Sequence, residues 1–167
     1  PSFRQNDWSS LPGDLSRRDI DAVFNGYEWM PEREAVMLST VPYYAYRIRL
    51  IAHKDGDVKG WDDLKKKEGR EPLTVGVLRG SAADRYLEEN YKDDVEIVAL
   101  KQAGVTFVMS QVAGKKMDAT VQDVPATVWY LSRWAGKAQY ADLRPVGEAI
   151  RPTERPYYVA YVRDPRL

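Results

Sequence analysis

The sequence predicts an α/β fold in which a largely parallel sheet carries helices on its faces. Three observations predict it. Strand-like apolar runs alternate with helix-like segments from Thr74 to Val146. The connections between them are short, and no internal repeat interrupts them. The 167 residues, 44% hydrophobic, suffice for one ordinary domain or two small lobes.

The elements follow in order. Asn6 to Pro12 holds an Asx/Ser cluster, a turn or helix-start signal, and Trp8 leads a short helix ending near Gly13. Asp19 to Phe24 is the first strand, followed by a turn at Gly26. Pro31-Glu32-Arg33 opens a brief helix, where the missing N–H of Pro31 costs nothing. Pro42-Tyr43-Tyr44 is extended. Arg47 to Ala52 alternates polar and apolar residues as a strand does. Lys54 to Gly60 is a loop, and Trp61 to Leu64 starts a short helix.

From there the pattern is regular. Thr74 to Leu78 is a strand, Ala82 to Tyr91 a helix capped by Ser81, and Val95 to Leu100 a strand. Val105 to Ala113 is a helix closed by Gly114, Ala119 to Val121 a strand, and Val124 to Trp134 a helix. Leu143 to Val146 and Tyr157 to Val162 are the last strands.

Composition narrows the function. Formal charges sum to zero, which argues against nucleic acid as a partner. No apolar run approaches the roughly 18 residues that span a bilayer, so direct membrane insertion is not expected. Pro1-Ser2-Phe3-Arg4 has neither the basic start nor the apolar middle of a signal peptide, so the chain reads as cytoplasmic or as a trimmed form of an exported protein. Cysteine is absent and histidine occurs once, at His53. That leaves no thiolate zinc site, no cysteine nucleophile and no basis for a histidine metal cluster; neither metal nor cofactor is expected. No GxSxG elbow accompanies His53, which reads as a surface residue at a strand end.

Three positions have the chemistry of a ligand site. Arg33, at a helix start, suits a ligand carboxylate, or else is an exposed charge paired with Glu32 or Glu34. Gly80-Ser81-Ala82 follows a strand and opens a helix, so its N–H groups and hydroxyl cradle an anion, or else form an ordinary capped turn. Asp123 ends a strand, where it pairs with a ligand ammonium or caps the helix beginning at Val124.

Taken together, the residues resemble the polar amino-acid solute-binding proteins of ABC transporters, the glutamine-binding type. The markers are Asp21-Ala22-Val23, Gly26, Pro31-Glu32-Arg33, Ser39 to Tyr44, Trp61 to Leu64, Val75-Gly76-Val77, Gly80-Ser81, Gly114, Asp118-Ala119 and Asp123-Val124-Pro125. Their order and spacing cover nearly the whole chain. The resemblance implies a periplasmic-binding-protein type II-like clamp of two lobes joined by hinge strands, near Ile51 to Lys54 and Arg155 to Tyr157. Residues 1–52 and 156–167 would form a partial first lobe and 53–155 the second. Arg33 would grip the ligand α-carboxylate, with Gly80, Ser81 and Ala82 holding it from the other lobe. Asp123 would take the α-ammonium, Trp8 would cover the side chain, and backbone near Gly26 and Glu28 would add contacts.

The resemblance also implies a periplasmic or extracellular, non-enzymatic protein that delivers an amino acid to a membrane permease. A sensor domain fused to a membrane receptor or kinase, and a cyclic-acid dehydratase, are the alternatives. The family carries a strand and a helix before the position of Pro1 and a closing helix after Leu167, so an incomplete first lobe is expected. Met30 stands where the family usually has a capping Thr. Glu28 replaces a smaller residue and either favours a cationic ligand side chain or faces solvent.

Overall fold

The computed structural model describes residues 2–101, 104–134, 137 and 140–165. A 3₁₀ turn at Trp8–Ser10 runs into α1 (Leu11–Ser16), then β1 (Ala22–Val23), a 3₁₀ turn at Pro31–Ala35, β2 (Met37–Ser39), β3 (Tyr44–Ala45) and β4 (Ile48–His53). After a 3₁₀ turn at Trp61–Leu64 come β5 (Leu73–Leu78), α2 (Ala82–Asn90), β6 (Val95–Leu100), α3 (Val105–Ala113) and β7 (Ala119–Asp123). The described chain ends with α4 (Val124–Trp134), β8 (Leu143–Ile150), β9 (Tyr157–Tyr158) and β10 (Tyr161–Arg163).

The strands build three sheets. The largest has the order β6-β5-β7-β4-β8, the second the order β1-β10-β2, and a ribbon pairs β3 with β9. In the largest sheet β5 runs parallel to β6 and β7, as the alternating pattern predicts, but β4 is antiparallel to both β7 and β8. The sheet is therefore mixed. The reason lies in the chain: only a 3₁₀ turn separates β4 from β5, and no crossover helix forces β4 into line.

Helices cover both faces of this sheet. Along β4, Leu50 and Ala52 point into one core with Val75, Val77, Ala82 and Leu87, while Ile51 points to the other with Met109 and Val112. Gly76 makes the second packing possible: a Cβ there would lie 2.5 Å from Met117 Sδ and 2.9 Å from Val108 Cγ1. The smaller sheet has a core of its own, where Leu11 and Leu15 of α1 meet Val23, Tyr27, Met37 and Tyr161.

Several expectations need correction. The apolar run Tyr157 to Val162 is two strands in two sheets, and the first strand shrinks to Ala22–Val23. The helix expected to end near Gly13 continues to Ser16. His53 is buried, not a surface residue: its Nδ1 accepts the Asp55 N–H at 3.1 Å and its Nε2 lies 3.8 Å from Asp142.

Candidate functional site

The site forms where the Gly26–Ala35 segment of the small sheet meets the start of α2 and the end of β7. Gly26 turns the chain with φ +82°, a left-handed conformation that favours glycine, and its N–H donates to the Tyr43 hydroxyl at 2.9 Å. The chain then runs through Tyr27, Glu28 and Trp29, where Glu28 bridges to Tyr158 and the Trp29 N–H donates to the Tyr157 carbonyl. Met30 supplies no side-chain cap to the following turn; it is buried, and its N–H donates to the Tyr161 hydroxyl.

Arg33 is 7% exposed, so it is not a surface charge. Its guanidinium lies 3.6 Å from the centre of the Tyr27 ring. One Nη1 donates to the Glu28 carbonyl and lies 3.3 Å from the Glu28 carboxylate; Nη2 donates to the Gly80 carbonyl at 2.7 Å. Arg33 thus reaches across to the loop between β5 and α2. In its own 3₁₀ turn the Arg33 N–H is already bonded to the Met30 carbonyl.

That loop is built as a helix start. Gly80 takes φ +74°, and its N–H donates to Asp84 Oδ2 at 2.7 Å. The Ser81 hydroxyl accepts the Asp84 N–H at 3.2 Å. These two bonds leave the Ala82 N–H to point outward, and it donates to Glu28 Oε1 at 3.1 Å.

Glu28 does not face solvent: it is 5% exposed, and its carboxylate is paired with Arg33 and with the Ala82 N–H. Burial pushes its pKa up against the opposing pull of the Arg33 charge, and the Asp123 carboxylate adds to the rise.

Asp123 does two things at once. Its Oδ1 accepts the Ala126 N–H at 2.6 Å, capping α4, and its Oδ2 accepts a hydrogen bond from the Tyr158 hydroxyl. Burial raises its pKa despite both bonds. Tyr158 is held by stacking on Tyr46, ring centres 4.7 Å apart, and on Tyr44 at 5.5 Å. Neither Tyr158 nor Tyr46 was among the sequence candidates, since an aromatic within an apolar stretch signals packing before it signals a site.

Trp8 lies at the edge of the small core, its ring 4.7 Å from that of Tyr27. Glu28, Arg33, Gly80, Ser81 and Ala82 are thus drawn into one constellation, while Gly26 lies against the Tyr158 ring beside it. Asp123 adjoins it through Tyr158, and Trp8 backs it through Tyr27. Among the described residues no group of three or more acidic or histidine side chains is placed to hold a metal, and no helix is long and apolar enough to cross a membrane.

A buried arginine thus joins two chain segments and faces a helix start, with the buried Glu28 beside it. No protein-family model matches the chain. It is 32% identical over 135 residues to the lysine/arginine/ornithine-binding periplasmic protein of Escherichia coli K12; the match covers 79% of this chain and 49% of that protein. The chain therefore spans about half the length of this curated relative. An ancestral arginine-binding protein bound to arginine superposes with TM-score 0.81 at 23% identity, over 98% of this chain and 67% of that one. The holo ArgBP from T. maritima gives TM-score 0.81 at 19% identity, over 98% of this chain and 65% of that one. The fold is the periplasmic-binding-protein type II-like fold, and in sequence the chain is similar to amino-acid-binding proteins of ABC transporters. The relatives found are binding proteins rather than enzymes.

Proposed function

We propose that this chain is the clamp of a solute-binding protein that captures a polar amino acid and hands it to an ABC permease, without catalysing a reaction. The observation that carries the proposal is the shared grip on one carboxylate: Arg33 from one side meets Oε2 of Glu28, and the Ala82 N–H from the other donates to Oε1. A ligand carboxylate has the same shape and charge as the group now held there. Its ammonium would exchange with the Tyr158 hydroxyl on Asp123, replacing a neutral donor by a charged one.

Burying a zwitterion requires that both charges be paired, and here the partners belong to separate parts of the fold. Ligand binding would then favour their approach, with the ribbon β3–β9 between the two larger sheets as the hinge. The relatives, a lysine/arginine/ornithine-binding periplasmic protein and arginine-binding proteins, favour a basic amino acid and a periplasmic or extracellular setting.

Calorimetry against the twenty amino acids tests the reading. Arginine or lysine should bind, and Arg33→Ala should weaken binding by about a hundredfold or more while circular dichroism stays unchanged. Equal affinity in the variant would remove Arg33 from the site, and no binding by any amino acid would remove the reading itself.

A further inference from the structure

Glu28 carries an inference beyond the capture of an amino acid. Its carboxylate fills the position between Arg33 and the start of α2: Oε1 accepts the Ala82 N–H at 3.1 Å, and Oε2 lies 3.3 Å from Arg33 Nη1. Both partners are buried, and Arg33 spends its remaining reach on the Glu28 and Gly80 carbonyls. A carboxylate bound by one guanidinium and one helix-start N–H is held as a free ligand carboxylate would be held. The difference is that this one is attached to the chain.

We propose that Glu28 is a tethered occupant of the carboxylate seat, so that any carboxylate ligand binds by displacing it. Three arguments support this. The tether makes the competitor intramolecular, and its effective concentration does not fall on dilution. The displaced carboxylate lies five residues from Arg33 on the same segment and can return whenever the seat empties. The charges of the site also fit exchange rather than addition. Glu28, Arg33 and Asp123 sum to one net negative charge, and two carboxylates cannot share one guanidinium and one N–H without leaving a buried charge unpaired.

The seat therefore screens ligands by carboxylate strength and geometry. An amino acid binds with an apparent affinity reduced by the fraction of time Glu28 is seated. A cation without a carboxylate leaves Glu28 in place and meets only Asp123. For the amino-acid ligand the inference rests on the clamp reading above; for the seat itself it does not.

The test separates the two. Wild type, Glu28→Ala and Glu28→Gln are melted with and without about 100 mM sodium acetate, with sodium chloride at equal ionic strength as the control. Acetate should raise the Tm of Glu28→Ala, because the emptied seat accepts it, and leave wild type unmoved. Glu28→Gln keeps the side-chain volume and hydrogen-bonding oxygen, and should respond less than Glu28→Ala. An equal acetate response in wild type and Glu28→Ala overturns the tethered-occupant role.

Titration with arginine and with agmatine, which is arginine without its carboxylate, then reads the ligand. Glu28→Ala should bind arginine about tenfold tighter or more than wild type, and agmatine no tighter. Arginine binding equal or weaker in Glu28→Ala overturns the competition. If no amino acid binds either protein while acetate still rescues Glu28→Ala, the seat stands and the amino-acid reading falls.

Discussion

The five-stranded sheet and the three-stranded sheet solve the same problem on different scales. The first packs α2 on one face and α3 and α4 on the other, and its central strands hold residues with no exposure, such as Leu50, Ile51, Val75 and Val121. The second has strands of two or three residues and one six-residue helix, α1, over its core. Around it, Phe3, Phe24 and Val41 are 97%, 69% and 83% exposed. The comparison teaches where this fold puts its rigidity. The seat's N–H belongs to the well-packed region, and the side chains that reach for it, Arg33 and Glu28, belong to the thinly packed one.

Leu15→Ala is the largest test of that difference. Leu15 is fully buried in the small core, and its truncation should cost about 2–5 kcal/mol, comparable to Leu50→Ala in the large one. The two should differ in what unfolds. Hydrogen exchange in Leu15→Ala should rise across β1, β2 and β10 while β5 and β7 stay protected; Leu50→Ala should expose the large sheet. Uniform loss of protection in both variants would mean that the two sheets form one cooperative unit, and the contrast drawn above would not hold.

The same contrast explains what the sequence revealed. The regular half was legible almost to the residue: Val95–Leu100, Val105–Ala113 and Val124–Trp134 stand where the pattern placed them, because six to eleven residues carry a period. The small sheet was not. Met37–Ser39 is too short to show alternation, and nothing in Tyr157 to Val162 marks a change of sheet within one apolar run. In the candidate site, Arg33, Gly80 to Ala82 and Asp123 stand out by residue type at element ends. The partner of Glu28 does not, since the Ala82 N–H lies 54 positions away and no local pattern encodes it.

Tyr158→Phe sharpens the comparison at the junction. The ring bridges the regions, stacked on Tyr46 while its hydroxyl donates to Asp123. Removing the hydroxyl leaves the stacking intact and Oδ2 of the half-buried Asp123 without its donor. The expected loss is about 1–2 kcal/mol in unfolding free energy. The carboxyl of Asp123, already raised by burial, should titrate higher still, because the hydroxyl is the largest influence opposing that rise. Carbon-13 detected titration of the Asp123 carboxyl reads this directly, and an unshifted midpoint would show that the hydroxyl bond does not hold in solution.

The smallest effect concerns α1, the one helix over the small core. Asp14 is buried within it and accepts hydrogen bonds from the Ser10 hydroxyl and the Asn6 amide, each at 2.8 Å, and from Arg17. The Ser10 bond does most to hold its carboxyl below the ordinary value, against the opposing effect of burial. Arg17 is 63% exposed at its side chain, so its charge adds little. A carboxyl whose folded pKa lies below its unfolded value of about 3.9 stabilises the fold fully above that pH. Its contribution falls away as acid carries it through the folded pKa. Asp14→Asn should therefore lose about 1 kcal/mol at neutral pH, and the gap to wild type should narrow below about pH 4. Because Asp14 braces only the small region, the loss should appear in the exchange of α1 and β1, and a deficit that persisted unchanged into acid would assign it to shape rather than charge.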